Sequence, residues 1–193
     1  MSTFHPTDSQ SMGLFFAPGL LQEDARCNVL TQPETEGSRI RIEGRVLDDD
    51  GVPVPDALVE IWQANAHGRY HHPADSGPAP LDPSFIGFGR SGTAEDGSYW
   101  FETVKPGPVP FDAERLQAPH ICVTLFVLGL PNHLVTRLYF EAEPTNASDP
   151  VLQCVREDRR ATLLARRQRE ETAVVYRFDI VLQGAGETAF CNL

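Results

Sequence analysis

Short runs in which apolar and polar residues alternate dominate the chain after residue 38. Ile40 and Ile42 alternate with charged neighbours, and Val46 carries the run on past Gly44. Period-two alternation places one side-chain set on each face of a strand. Asp48-Asp49-Asp50-Gly51 and Val52-Pro53-Val54-Pro55-Asp56 then supply turns. Leu58-Val59-Glu60-Ile61-Trp62 is a β-rich run that stops at the turn Asn65-Ala66-His67-Gly68. Thr93 to Gly97 before Tyr99-Trp100-Phe101 gives a hairpin signal. Further strands are expected at 121–127, 134–140 and 174–182, each rich in Val, Ile, Leu, Thr or aromatic residues. One helix is expected, capped by Ser148 or Asp149, with Pro150 in its first turn and an end near Asp158. Trp62 and Trp100 read as core anchors. Many short strands with turns between them predict a single-domain, all-β sandwich over residues 39–193.

Residues 1–38 lack either rhythm and read as an extended arm. Leu14, Phe15, Phe16, Leu20 and Leu21 need cover, so the arm is expected to lie across the core or across a partner. Met1 to Gln10 has no basic start and no apolar stretch, which predicts a cytoplasmic protein.

Composition narrows the function classes. The chain has 193 residues, 41% of them hydrophobic, and a net charge of −11. That charge repels phosphate backbones, and the arginine-rich stretch from Arg156 to Arg169 is interleaved with acids, so nucleic acid is not an expected partner. No apolar run reaches the ~18 residues of a membrane span. Cys27, Cys122, Cys154 and Cys191 lack the close spacing of zinc or redox motifs and read as free thiols. His71 and His72 are adjacent and on a strand would face opposite sides; they, His67 and His133 read as exposed loop residues.

Two stretches carry chemistry. The first is Gly44-Arg45-Val46-Leu47-Asp48, then Pro53 to Asn65, then Gly68-Arg69-Tyr70. The second is Thr103-Val104-Lys105-Pro106-Gly107-Pro108, then Ala118-Pro119-His120-Ile121, then Leu138-Tyr139-Phe140-Glu141. In this order they resemble the intradiol aromatic-ring dioxygenases, and the likeness runs from about Ser9 to the C-terminus. The resemblance implies a prealbumin-like sandwich and a ferric iron held by two tyrosinates and two histidines, a hard donor set suited to that ion.

Carried over residue by residue, Tyr70 matches the first tyrosine and His120 the first histidine. Val109 stands at the second tyrosine and Cys122 at the second histidine. Gln117 replaces the arginine that precedes the histidine pair and holds developing charge on the substrate. A hydrocarbon at 109 cannot bind a metal, so no metal or catalytic residue is expected in this chain. The pattern resembles the alpha chains of two-chain members of the family, in which a homologous beta chain holds the Fe(III). Thr136-Arg137-Leu138-Tyr139-Phe140 and Tyr176-Arg177-Phe178-Asp179-Ile180 share that likeness, as does Ser9 to Phe15. It implies a higher alpha–beta oligomer acting on O₂ and a 3,4-dihydroxybenzoate-type catechol. Gly13, Leu14, Phe15 and Leu128 are then expected to line a substrate pocket shared with the partner. Leu14 and Phe15 replace a proline and a tyrosine, and Leu128 an arginine. Two rival readings are a stand-alone dioxygenase with an altered metal site and a non-catalytic prealbumin-like binding module.

Overall fold

The computed structural model describes residues 19–21, 27–169, 174–184 and 186–191. Gly13, Leu14 and Phe15 lie outside them. The eleven strands are β1 (Arg39–Leu47), β2 (Leu58–Trp62), β3 (Phe88–Gly92), β4 (Ser98–Val104), β5 (Val109–Pro110), β6 (Leu116–Gln117), β7 (His120–Phe126), β8 (Leu134–Phe140), β9 (Leu164–Arg169), β10 (Val174–Arg177) and β11 (Ile180–Val181).

Pairing sorts most of them into two layers. One runs β3-β2-β7-β8 with antiparallel neighbours. The other holds β4, β1, β10 and β9, with β11 parallel to the end of β1. A short parallel contact, Tyr139 to Leu164 and Phe140 to Ala165, joins the layers at β8 and β9. The opposite edges are joined by the segment at Cys27–Leu30. Cys27 bridges Arg90 of β3, and Val29 bridges Glu102 of β4. Leu30 also packs on the core.

The core lies between the layers. Ile40, Ile42, Val46, Phe101, Val59, Ile61, Ile121, Val123, Leu125, Leu138 and Phe140 share one buried cluster. These are the inward members of the alternating runs, and their removal from water is the main stabilising term. A sandwich was expected and a sheet-dominated fold is observed.

Three local expectations need correction. β3 and β4 flank the Thr93–Gly97 turn but do not pair as a hairpin; β3 pairs with β2 and β4 with β1. The turn instead carries the chain from one layer to the other. The expected helix near 149–158 is broken into a 3₁₀ turn at Leu152–Cys154 and α1 (Glu157–Arg160), after an earlier 3₁₀ turn at Pro144–Ser148. Asp149 does cap that stretch, accepting from the backbone N–H of Val151 at 2.9 Å and of Leu152 at 2.6 Å. Trp62 and Trp100 are only half-buried and sit on outer faces; the guanidinium of Arg41 lies 4.3 Å from the Trp100 ring centre. β9 forms from the arginine-rich stretch, whose one fully buried strand residue is Ala165. No helix among the described residues is long and apolar enough to cross a membrane.

Candidate functional site

The inward residues of β7 are Ile121, Val123 and Leu125, so His120 and Cys122 point the other way. Register then decides what they meet. His120 lies opposite Tyr139 and Cys122 opposite Arg137 on β8, while Cys122 lies opposite Trp62 on β2. Directly opposed residues share a face, so all five gather on the outer face of this layer.

Tyr70 reaches that face from the loop after β2. Asn65 shapes the loop: its side-chain oxygen accepts from the N–H groups of His67 and Arg69, and its amide donates to the Pro80 carbonyl. Gly68 has φ of 81°, and a Cβ there would strike the Pro108 carbonyl oxygen, so only glycine lets the two loops meet. Asp75 fixes the next step by accepting from the Tyr70 N–H at 2.8 Å. The ring then stacks on Trp62, with centroids 5.7 Å apart and planes 18° from parallel. The Tyr70 hydroxyl ends 3.5 Å from Nε2 of His120.

The protonation pattern follows from partners. His120 Nδ1 lies 2.8 Å from the Ala118 carbonyl oxygen, which can only accept, so Nδ1 carries the proton. Nε2 then faces Tyr70 as an acceptor. His120 is 2% exposed, and burial, aided by the Arg137 charge, lowers its pKa to about 4. Burial likewise pushes the Tyr70 phenol and the Cys122 thiol up, so both stay protonated near neutrality.

Arg137 is the cation of the site. Its Nη1 donates to the Gln117 side-chain oxygen at 2.7 Å and approaches the Tyr139 hydroxyl at 3.5 Å. The Tyr139 hydroxyl donates to Asp149 Oδ1 at 3.1 Å, and Asp149 Oδ2 accepts from the Ala118 N–H at 2.7 Å. Asp149 thus ties the residues before His120 to β8. Val109 is buried and pairs with Gln117 across the β5–β6 ribbon.

These residues do not fit ferric iron. Val109 has no donor atom, Cys122 offers a soft thiol where a histidine is needed, and Arg137 places a fixed positive charge beside Cys122 and His120. No cluster of three or more His, Cys, Asp or Glu side chains suited to a metal occurs among the described residues. The structure therefore brings Tyr70, His120, Cys122 and the Val109–Gln117 pair to one neighbourhood. Leu128 lies elsewhere, in the turn beyond β7 and 53% exposed, at the strand end away from His120 by roughly 20 Å. His67, His71, His72 and His133 are exposed, as expected, and the four cysteines are free thiols.

Comparison with known proteins agrees with this geometry. The chain belongs to the intradiol dioxygenase family: a family model described as Dioxygenase matches residues 14–184. Among relatives, it is similar to the protocatechuate 3,4-dioxygenase alpha chain of Burkholderia cepacia, 39% identical with all of both chains covered. It is also 43% identical to the protocatechuate 3,4-dioxygenase beta chain of the same organism, over 88% of this chain and 75% of the relative. Among solved structures, the dioxygenase domain of a carbohydrate-binding fusion protein from Streptomyces sp. SirexAA-E matches with a TM-score of 0.64 and 27% identity. That alignment spans 94% of this chain and all of the other.

The sequence reading passed over Arg137 and Asp149 as site residues. Arg137 appeared only within a motif and Asp149 only as a cap. Alternation along β8 could have flagged Arg137, a charge opposite a position already singled out. No local signal could have found Asp149, since its partners lie 10 and 31 residues away.

Proposed function

We propose that this chain is the iron-free, alpha-type subunit of a protocatechuate 3,4-dioxygenase. The complex opens 3,4-dihydroxybenzoate between its two hydroxyl-bearing carbons, and both atoms of O₂ enter the product, 3-carboxy-cis,cis-muconate. A homologous beta chain with the full set of two tyrosines and two histidines holds the Fe(III), in a cytoplasmic alpha–beta oligomer. Gly13, Leu14, Phe15 and Leu128 belong to the face that meets the partner's pocket, and this chain contributes shape and exclusion of water. One observation carries the reading: a kept fold whose ligand positions hold Val109 and Cys122, next to the Arg137 guanidinium. The end-to-end match to an alpha chain supports it. The higher identity to a beta chain covers a shorter stretch and does not restore the missing donors.

The test begins with the chain purified alone. It should contain no stoichiometric iron, show no visible tyrosinate-to-iron absorption and have no activity. Co-expression with a homologue that carries all four ligands should yield coloured, active complex. A coloured, active preparation of this chain by itself would overturn the proposal. In the complex, Gly13→Val should lower kcat/KM about 10-fold, equivalent to about 1.4 kcal/mol, with iron content unchanged.

A further inference from the structure

Among the half-buried arginines of the described residues, Arg69, Arg137 and Arg160 have no ion pair; Arg69 and Arg160 each donate from two nitrogens to backbone carbonyls, whereas Arg137 engages one. Arg41, Arg90, Arg159 and Arg177 each face a carboxylate within ion-pair distance. The hydrogen-bond partners of Arg137 are both neutral, the amide oxygen of Gln117 and the hydroxyl of Tyr139, and only Nη1 is engaged. No ion pair involves it among the described residues. Asp149, the nearest acid in the network, is separated from it by Tyr139 and spends its oxygens on Ala118, Tyr139, Val151 and Leu152.

Its surroundings favour an anion. Tyr70, Gln117 and Cys122 are half-buried like Arg137, so the group stays reachable from solvent on the outer face of the layer. Tyr70 offers a phenolic O–H, and its stack on Trp62 supplies a flat aromatic wall beside the guanidinium. His120 is neutral and adds no negative charge. A donor set built for a trivalent cation would carry anionic tyrosinates; this one carries none and has gained a fixed positive charge. The electrostatic sign of the site is inverted. A guanidinium with free N–H groups in a partly desolvated place selects a planar, two-oxygen anion, because both oxygens can be met by parallel N–H donors.

We propose that Arg137, with Tyr70 beside it, forms a binding site for a small organic carboxylate on this chain. This binding goes beyond the subunit role above and involves no turnover.

Titration of the full chain alone with benzoate, followed by isothermal calorimetry, tests this. The expected result is saturable one-to-one binding with a dissociation constant on the order of millimolar. Arg137→Gln should weaken binding at least ~10-fold, and Arg137→Lys, which keeps the charge but loses the fork, by less. Arg166→Gln, an exposed arginine of β9 in the other layer, should leave it unchanged. Circular dichroism and the unfolding midpoint establish that each variant is folded, and the Lys variant keeps the comparison open if the Gln variant is not. Absence of saturable binding to the wild-type chain, or equal affinity in a folded Arg137 variant, overturns the proposal. Since no partner chain is present, either result is independent of whether the chain completes a dioxygenase.

Discussion

β7 and β8 present two faces that obey different rules. On the inner face, Ile121, Val123, Leu125, Leu138 and Phe140 fill one close-packed cluster. On the outer face, a few residues away along the same strands, His120, Cys122, Arg137 and Tyr139 sit around Tyr70. The inner face is constrained by volume and water exclusion, and any change in shape is felt. The outer face is constrained by charge and hydrogen-bond pairing, which can be exchanged without disturbing the core. A metal-binding constellation can therefore be lost from this layer, and another chemistry gained, while the sandwich persists.

The sharpest way to probe that contrast is to cut one residue from each face of β7. Ile121→Ala on the inner face should cost about 2–5 kcal/mol, the range for a fully buried aliphatic side chain. Chemical denaturation would measure it. A loss under about 1 kcal/mol would mean that the two faces are not so differently constrained.

Asp149 comes next, because it belongs to neither face alone. It is fully buried and accepts from Ala118, Tyr139, Val151 and Leu152. Asp149→Ala leaves several buried donors without a partner and should cost about 3 kcal/mol. It should also loosen the Tyr139–Arg137–Gln117 chain, visible as faster hydrogen exchange at Ala118. Destabilisation without that local change would show that Asp149 supports only the 150s turn.

A smaller effect concerns pH. The folded His120 has its pKa lowered to about 4, below an unfolded value near 6.5. Between those values the unfolded chain binds a proton that the folded chain does not. Stability from this group is complete above about pH 6.5 and is lost as pH falls toward 4. The slope should reach about 1.4 kcal/mol per pH unit at its steepest, and His120→Gln should flatten it. Equal pH profiles for the two proteins would mean that His120 takes up its proton in the fold as readily as in the unfolded chain.

The smallest change is expected at Cys122. Cys122→Ala removes only a half-buried thiol from the outer face and should shift stability by less than about 1 kcal/mol. A larger loss would place Cys122 in the packing that the inner face alone is held to provide.

The inner face was legible in the chain itself, because alternation of apolar and charged residues is a local record of which side meets the core. Ile40, Ile42 and Val46, the run Leu58–Trp62, and strands near 121, 134 and 174 all follow from it. The likeness to the intradiol family, rather than alternation, put Val109 at a ligand position, where a hydrocarbon offers no donor atom. Local rules failed where the deciding energy was long-range. The Thr93–Gly97 turn looks like a hairpin, yet its strands part to cover both sides of one core. β9 comes from an arginine-rich stretch without apolar alternation, yet it pairs with β10 and completes a layer. Only the tertiary structure placed Arg137 against Gln117 and Tyr139 against Asp149. These contacts depend on strand register and on loops closing across tens of residues, where electrostatics between distant chain segments leaves no pattern in the sequence near either one.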